Sequence, residues 1–68
     1  MTFDQWMQKV DALIQEHAGV PRHYLAAWYY RESFEDGYTP EEVTLDALHN
    51  QGMAEETLDQ IRDALGVQ

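Results

Sequence analysis

The sequence of 68 residues contains no cysteine, and only four of its residues are lysine or arginine. Without cysteine there is no disulfide bond, although secreted domains of this size usually depend on such bonds. No apolar run approaches the roughly 18 residues that span a membrane, and the N-terminus does not have the basic-then-apolar order of a signal peptide. These absences predict a cytoplasmic protein that does not bind to membranes.

The scarcity of bases leaves the chain strongly acidic, with 13 Asp and Glu residues and a formal net charge of −9. The charge is uneven, because residues 1–31 contain three acids and three bases, whereas residues 32–68 contain ten acids and Arg62 alone. Nucleic-acid backbones and anionic membranes repel such a chain, so no direct nucleic-acid binding is expected. Two interpretations of the acidic half remain open: a solubilising surface, or a face for a basic partner protein.

Residues that commonly carry catalysis or bind metals are also scarce. Ser33 is the only serine, and no histidine lies near it in the sequence. The three histidines, His17, His23 and His49, do not have the i, i+4 spacing of a helical zinc pair. We therefore expect no enzyme activity, no metal and no cofactor, and we interpret His17 as a structural histidine with satisfied hydrogen bonds.

Hydrophobic periodicity and capping signals predict an all-α fold, a small bundle of three to four short helices. Thr2 with Gln5, and Thr39 with Glu42, have the spacing of capping boxes. Glycines and prolines separate the periodic segments. The predicted helices cover residues 3–18, 22–36, 40–50 and 54–65. We expect one helical domain over residues 1–68, in which 54–68 is a loosely packed C-terminal helix.

Several features of this bundle can be predicted at single residues. Trp6 and Trp28 fall on the apolar stripes of their helices, so the core is expected to centre on both. Gly37 is expected to have a positive φ before the third helix. Arg31 is expected to reach a carboxylate on another helix in preference to a neighbour on its own.

Two stretches of sequence resemble a known family: W-x3-V-D at 6–11 and W-x-Y-R-x2-F-x-D-G-x2-P-x-E at 28–42. The chain resembles, over about residues 3–50, a family of short acidic bacterial and phage proteins of unknown function. The resemblance implies no activity, and it makes the last helix an addition to the family pattern. Where family members often have a Pro-Asp pair before the second tryptophan, this chain has Ala26-Ala27, so the start of the second helix stays open by several residues.

The functional prediction is a small non-enzymatic accessory protein that binds a basic surface of another protein. One alternative is a nucleic-acid mimic, in which carboxylates imitate phosphates and block a nucleic-acid-binding protein. Another is self-association through the last helix, by way of Leu58, Ile61 and Leu65. The candidate protein-binding residues are Glu32, Glu35, Asp36, Glu41, Glu42 and Asp46, together with Tyr24 and Tyr29.

Overall fold

A computed structural model describes residues 1–67, and in this range the secondary structure is helical, without a strand. The helices are α1 (Phe3–Ala18), α2 (Tyr30–Glu35), α3 (Pro40–Asn50) and α4 (Glu55–Leu65), and one 3-10 turn covers Arg22–Tyr24. The all-α prediction is confirmed, and the predicted bounds of three helices agree with the structure to within one residue. Residue 68 of the predicted segment 54–68 lies outside the described residues.

Local capping explains why α1 and α3 begin at the predicted residues. The hydroxyl of Thr2 accepts the Gln5 backbone N–H at 3.2 Å, and the Gln5 side chain accepts the Thr2 N–H at 2.9 Å. Thr39 and Glu42 make the same pair of hydrogen bonds, at 3.1 and 2.9 Å, before α3. Gly37 has a φ of +86°, which confirms its predicted left-handed conformation in the turn between α2 and α3.

The core consists of two apolar clusters that meet where α3 packs across α1. Trp6 is 3% exposed in the first cluster, and its indole N–H donates to the Tyr38 carbonyl at 2.9 Å. The burial of Trp6 confirms its predicted place in the core, and the hydrogen bond ties α1 to the turn before α3. The first cluster contains Trp6, Val10, Ile14 and Val43, and the second contains Leu45, Leu48, Leu58 and Ile61.

The prediction was wrong for Trp28, which lies at the edge of the first cluster and is only partly buried. Its indole N–H has no hydrogen-bond partner among residues 1–67. Trp28 does not lie on a helix, so the helical stripe on which the prediction depended does not exist at this residue.

The prediction of a second helix over residues 22–36 was also wrong for most of that range. Only Tyr30–Glu35 is α-helical, and Leu25 has extended dihedral angles, with φ −88° and ψ 162°. The side chain of Gln51 accepts the Ala26 N–H at 2.6 Å, which offers this amide a partner outside any helix. Leu25 packs in contact with both apolar clusters, and a continuous helix would also have to bury aromatic side chains on several faces. Tertiary contacts therefore outweigh the local helix propensity of this segment.

Candidate functional site

The acids of α2 fall into two groups that differ in their partners. Glu35 pairs with Arg31 at 3.4 Å one turn earlier, whereas Glu32 and Asp36 have no cationic side chain within 4 Å in the described part of the chain. All three acids are exposed, and Asp36 is the C-cap of α2. Glu32 and Asp36 are therefore unneutralised carboxylates on the surface.

Arg31 does not reach a carboxylate on another helix, so that prediction was wrong. Besides pairing with Glu35, its guanidinium lies 4.8 Å from the centre of the Phe3 ring on α1. A planar guanidinium can stack on an aromatic ring and bind a carboxylate at the same time. Arg31 thus connects α2 to α1 through an aromatic ring and not through an ion pair.

The acids at the start and middle of α3 are closer to the protein interior. Glu41 is half-buried, and Glu42 is used in the cap of α3. Burial raises the pKa of Asp46, and the negative charge of Glu42 one turn earlier raises it further, while His49 opposes the shift. Asp46 lines shallow notches between α3 and α4 together with Arg62. The candidate acids are therefore exposed on α2, whereas on α3 Glu41 and Asp46 are partly buried and Glu42 is exposed.

The acids of α4 were missing from the predicted site, although all four are exposed. Glu55 pairs with His49 at 3.0 Å, and Asp59 pairs with Arg62 at 2.7 Å. Glu56 and Asp63 have no cationic partner among residues 1–67. The spacing of residues 56, 59 and 63 by three and four positions is a signal in the sequence that could have found this row.

The structure exposes both candidate tyrosines. Tyr24 is 68% exposed and stacks edge-on with His23, while Tyr29 is 66% exposed and lies beside Trp28 with ring centres 5.3 Å apart. Tyr29 is the N-cap of α2, and its side chain makes no capping hydrogen bond. Tyr24 instead borders a shallow, mostly apolar groove of about 470 Å³ between the end of α1 and the turn from α3 to α4.

Two further interpretations need correction. Leu58 is 1% and Ile61 is 6% exposed, because they pack against Leu45 and Leu48, so they are not available as a self-association surface on the folded chain. The Nε2 atom of His17 is buried without a hydrogen-bond partner in the described range, so this histidine is not fully satisfied.

No group of three or more histidine, aspartate or glutamate side chains within residues 1–67 is arranged to hold a metal ion. Over the same residues, no helix combines the length and the apolar character needed to cross a bilayer.

Two phage proteins are similar to this chain. The Gene 87 protein of Mycobacterium phage D29 is 39% identical over 51 residues, which are 75% of this chain and 94% of the phage protein. The Gene 87 protein of Mycobacterium phage L5 is 31% identical over 51 residues, 75% of this chain and 96% of its own length. No protein-family model and no solved structure matches the sequence. A match of 51 residues cannot contain all four helices, which extend from residue 3 to residue 65.

Proposed function

The chain belongs to the family of the Gene 87 proteins of mycobacteriophages D29 and L5, and from this premise we propose that it is a non-enzymatic phage protein that binds a basic surface of a partner protein. The binding surface is the acidic half, residues 32–68, which has ten acids and one arginine. The similarity to phage proteins supports a role within phage biology, and the charge supports the nature of the partner.

The observation that carries the proposal is that most carboxylates of the acidic half have no basic side chain nearby. Of its ten carboxylates, Glu35 and Asp59 have an arginine within 4 Å and Glu55 has the imidazole of His49, which leaves seven without a basic side chain at that distance in the described part of the chain. Exposed charges of one sign add up to a field that attracts a partner of opposite charge and speeds its association. A surface built only for solubility needs no such concentration in one half.

The non-enzymatic part of the proposal is supported by the position of Ser33. This residue is the only serine of the chain, and it is 9% exposed, on the inner side of α2. A hydroxyl in this position is poorly placed to attack a substrate, because a nucleophile has to meet the reacting atom and a neighbouring base.

Charge reversal at the ends of helices tests the proposal without disturbing the fold. Asp36 and Asp63 lie at the C-terminal ends of α2 and α4, where a lysine interacts favourably with the helix dipole. Glu16 lies in the last turn of α1, as Asp63 does in α4, and belongs to the neutral half; its basic neighbour is the imidazole of His17 at 3.7 Å and not an arginine, so Glu16→Lys is the control. Glu35 and Asp46 are less suitable, because Glu35 is paired and Asp46 is partly buried.

The tagged chain would first be used to capture partners from a mycobacterial lysate at low and at high salt. Association rates with a recovered partner would then be measured for each folded variant. We expect Asp36→Lys and Asp63→Lys to lower the association rate several-fold at low salt, and to weaken its dependence on salt, since exposed charges act over roughly 10 Å or less at physiological ionic strength. Equal rates for these variants and Glu16→Lys would contradict the proposal.

One observation favours a nucleic-acid mimic as the second candidate. Glu56, Asp59 and Asp63 are exposed and follow one another along α4, at a rise of about 1.5 Å per residue. Such a row resembles a line of phosphates, although Arg62 already engages Asp59. If the recovered partner binds DNA or RNA, and the nucleic acid displaces the chain from it, the mimic is the better description.

A further inference from the structure

The apolar groove between the end of α1 and the turn from α3 to α4 carries an exposed aromatic ring on its edge. The groove has a volume of about 470 Å³, and Tyr24, which borders it, is 68% exposed. We propose that this groove is the interface of a symmetric dimer, in which Tyr24 of each copy closes over the groove of the other. The inference goes beyond the proposed function and does not depend on it. The site is called the Tyr24 groove below, and its main lining residues are Ala18, Leu25, Leu48, Gly52, Met53 and Tyr24.

Small residues keep the Tyr24 groove open between larger apolar side chains. Leu48 lines it from the core and is 1% exposed, and Leu25 packs against both apolar clusters. Between them, Ala18 at the end of α1 has only a methyl group, and Gly52 in the turn after α3 has no side chain. A Cβ atom at Gly52 would meet no heavy atom within 4 Å beyond its neighbours in the chain. The result is an open apolar hollow over the boundary between the two clusters.

A projecting ring next to a hollow makes this face complementary to itself. In a twofold-symmetric dimer the same patch of both copies is in contact, so each ring meets the hollow of the other copy. Tyr24 of one copy then covers Leu25 and Met53 of the other, and the thioether of methionine adapts to the shape of its neighbour. Tyrosine suits this position, because it buries a large area and its hydroxyl can still find a polar partner.

The imidazole of His17 gives the groove a polar group without a partner. Its Nε2 atom is buried and has no hydrogen bond to the described residues, and the Glu16 carboxylate lies 3.7 Å away, beyond hydrogen-bond distance. Glu16 is exposed, so its side chain can move aside. A phenol hydroxyl both donates and accepts, so the Tyr24 hydroxyl of the second copy fits either tautomer of His17. This contact removes the free-energy cost of an unpartnered buried nitrogen.

The charge of the chain favours this face for contact between two copies. Each copy has a net charge of −9, so two acidic faces repel each other. Within residues 1–67 no acidic side chain lines the Tyr24 groove, whereas the notches between α3 and α4 and the one beside Arg22 each contain a carboxylate. The hollow along α1 also lacks an acid, but it has no aromatic residue that could fill a second copy.

The two sides of the Tyr24 groove are also complementary in charge. Tyr24 belongs to the 3-10 turn with Arg22 and His23, and the His23 ring packs edge-on against it with ring centres 4.7 Å apart. On the side of the turn from α3 to α4, the chain continues into the acidic first turn of α4, with Glu55 and Glu56. Insertion of Tyr24 brings the basic turn of one copy towards these acids of the other, twice in each dimer.

The size of this face predicts a weak dimer. A stable interface of standard size covers about 800 Å² of each partner, which is almost a fifth of the 4494 Å² surface of this chain. One buried tyrosine contributes about 150–250 Å², so the ring and the groove around it form a smaller interface. We expect a dissociation constant of about 10–500 µM near physiological ionic strength, in the range of weak and transient complexes.

The chain offers matched controls for both sides of the contact. Tyr24→Ala is compared with Tyr29→Ala, because the two rings are 68% and 66% exposed and Tyr29 does not border the groove. Met53→Gln is compared with Met7→Gln, because both methionines are partly buried and Met7 packs against the first cluster, away from the groove. Tyr24→Phe keeps the ring and removes only the hydroxyl. Circular dichroism and melting curves confirm that each variant is folded.

Sedimentation equilibrium over about 10 µM to 1 mM measures the dissociation constant. Isotope-filtered NMR on a mixture of labelled and unlabelled chains identifies contacts between copies, and we expect one between the Tyr24 ring and the Met53 methyl group. Tyr24→Ala should weaken the dimer about ten-fold or more, because two buried rings are lost, and Met53→Gln about three-fold or more. Tyr24→Phe should weaken it about two- to five-fold, and the control variants less than about two-fold.

Salt separates this dimer from the binding of a basic partner. Raising the salt from about 0.05 to 0.5 M should leave the dimer equally tight or make it tighter, because it screens the repulsion between two chains of charge −9 while the exposed charges at the edge contribute little. The same change weakens the attraction between the acidic half and a basic protein. Failure of the dimer therefore leaves the proposed function untouched, and the reverse also holds.

Four results would overturn the inference or part of it. A chain that stays monomeric at the highest concentration has no such dimer. Equal losses in Tyr24→Ala and Tyr29→Ala, or contacts between copies centred on the hollow along α1, would place self-association elsewhere. A monomeric chain whose groove signals shift when a captured protein binds would assign the groove to that protein. Unchanged affinity in Tyr24→Phe would refute the hydrogen bond to His17.

Discussion

The side chain of Trp6 links parts of the chain that are distant in sequence. It is buried between Phe3 and Phe34, with ring centres 6.1 and 5.5 Å away, and it donates a hydrogen bond to the Tyr38 carbonyl. One side chain thus joins α1, α2 and the turn before α3. In a chain this short, such a residue accounts for a large share of the buried apolar surface.

Truncating Trp6 should therefore come close to unfolding the protein. Trp6→Ala is expected to lower the free energy of unfolding by about 3–5 kcal/mol, because it removes a buried aromatic side chain and leaves a cavity. Trp28→Ala should cost clearly less, since Trp28 is only partly buried. Urea unfolding followed by circular dichroism measures both.

If Trp6→Ala does not fold, Trp6→Phe serves instead, with an expected loss of about 1 kcal/mol or more from the missing hydrogen bond. Equal losses for alanine at both positions would contradict this assignment of the core.

Asp46 is a second residue with a testable property, because its environment raises the pKa of its carboxyl group. A carboxyl whose pKa is higher in the folded than in the unfolded chain destabilises the fold when it is ionised. This destabilisation is complete above the folded pKa and disappears as the pH falls below the ordinary value of about 3.9. Asp46→Asn is therefore expected to raise the melting temperature at neutral pH, and the gain should vanish in acid.

A double-mutant comparison separates the two causes of this shift. Glu42→Gln removes the neighbouring charge but keeps the capping box, because glutamine also fits that position. The gain from Asp46→Asn at neutral pH should be smaller in the Glu42→Gln background. A gain that is equal at neutral and acid pH would show that ionisation of Asp46 has no part in it.

The N-termini of α3 and α4 differ in how they are capped. Thr39 caps α3 with its hydroxyl, whereas Ala54, the N-cap of α4, has no side-chain hydrogen bond to offer. Ala54 already has the extended conformation of a capping residue, with φ −62° and ψ 144°. The backbone at the start of α4 therefore has the conformation of a capped helix, but the alanine side chain cannot provide the capping hydrogen bond.

Adding that cap should stabilise the protein. Ala54→Ser is expected to raise the free energy of unfolding by about 0.5–1 kcal/mol, and Thr39→Ala to lower it by about 1 kcal/mol. Ala12→Ser is the control, because Ala12 is exposed inside α1, where serine is slightly worse than alanine. Urea unfolding of the three variants measures these differences. No gain from Ala54→Ser would mean that α4 begins elsewhere in solution.

Charge is distributed unevenly over the whole molecule, although both halves contribute to the core. The neutral half contains α1, which packs against α2, α3 and the 3-10 turn, while the acidic half carries almost all of the unpaired carboxylates on α2, α3 and α4. The inner faces of α3 and α4 carry the buried apolar residues, and most acids of these helices lie on the outer faces, with Glu41 and Asp46 partly buried.

The sequence by itself determined α1, α3 and α4, because their start and stop signals act between residues three or four positions apart. It also determined the charge asymmetry, since the positions of acids and bases are visible in the order of the residues. These features depend on local hydrogen bonds and composition, which need no knowledge of the rest of the chain.

Tertiary structure alone decided the break in the predicted second helix, the partner of Arg22 and the exposure of each tyrosine. The Ala26 N–H meets the side chain of Gln51, 25 residues away, and Arg22 meets Asp11 across a turn. Whether Glu32 is free and Glu35 is paired likewise depends on where Arg31 lies against Phe3. The hydrogen bond of Ala26 and the ion pair of Arg22 form between groups that are distant in sequence. Which of the possible partners meet depends on which groups the packed helices bring within hydrogen-bonding or van der Waals distance.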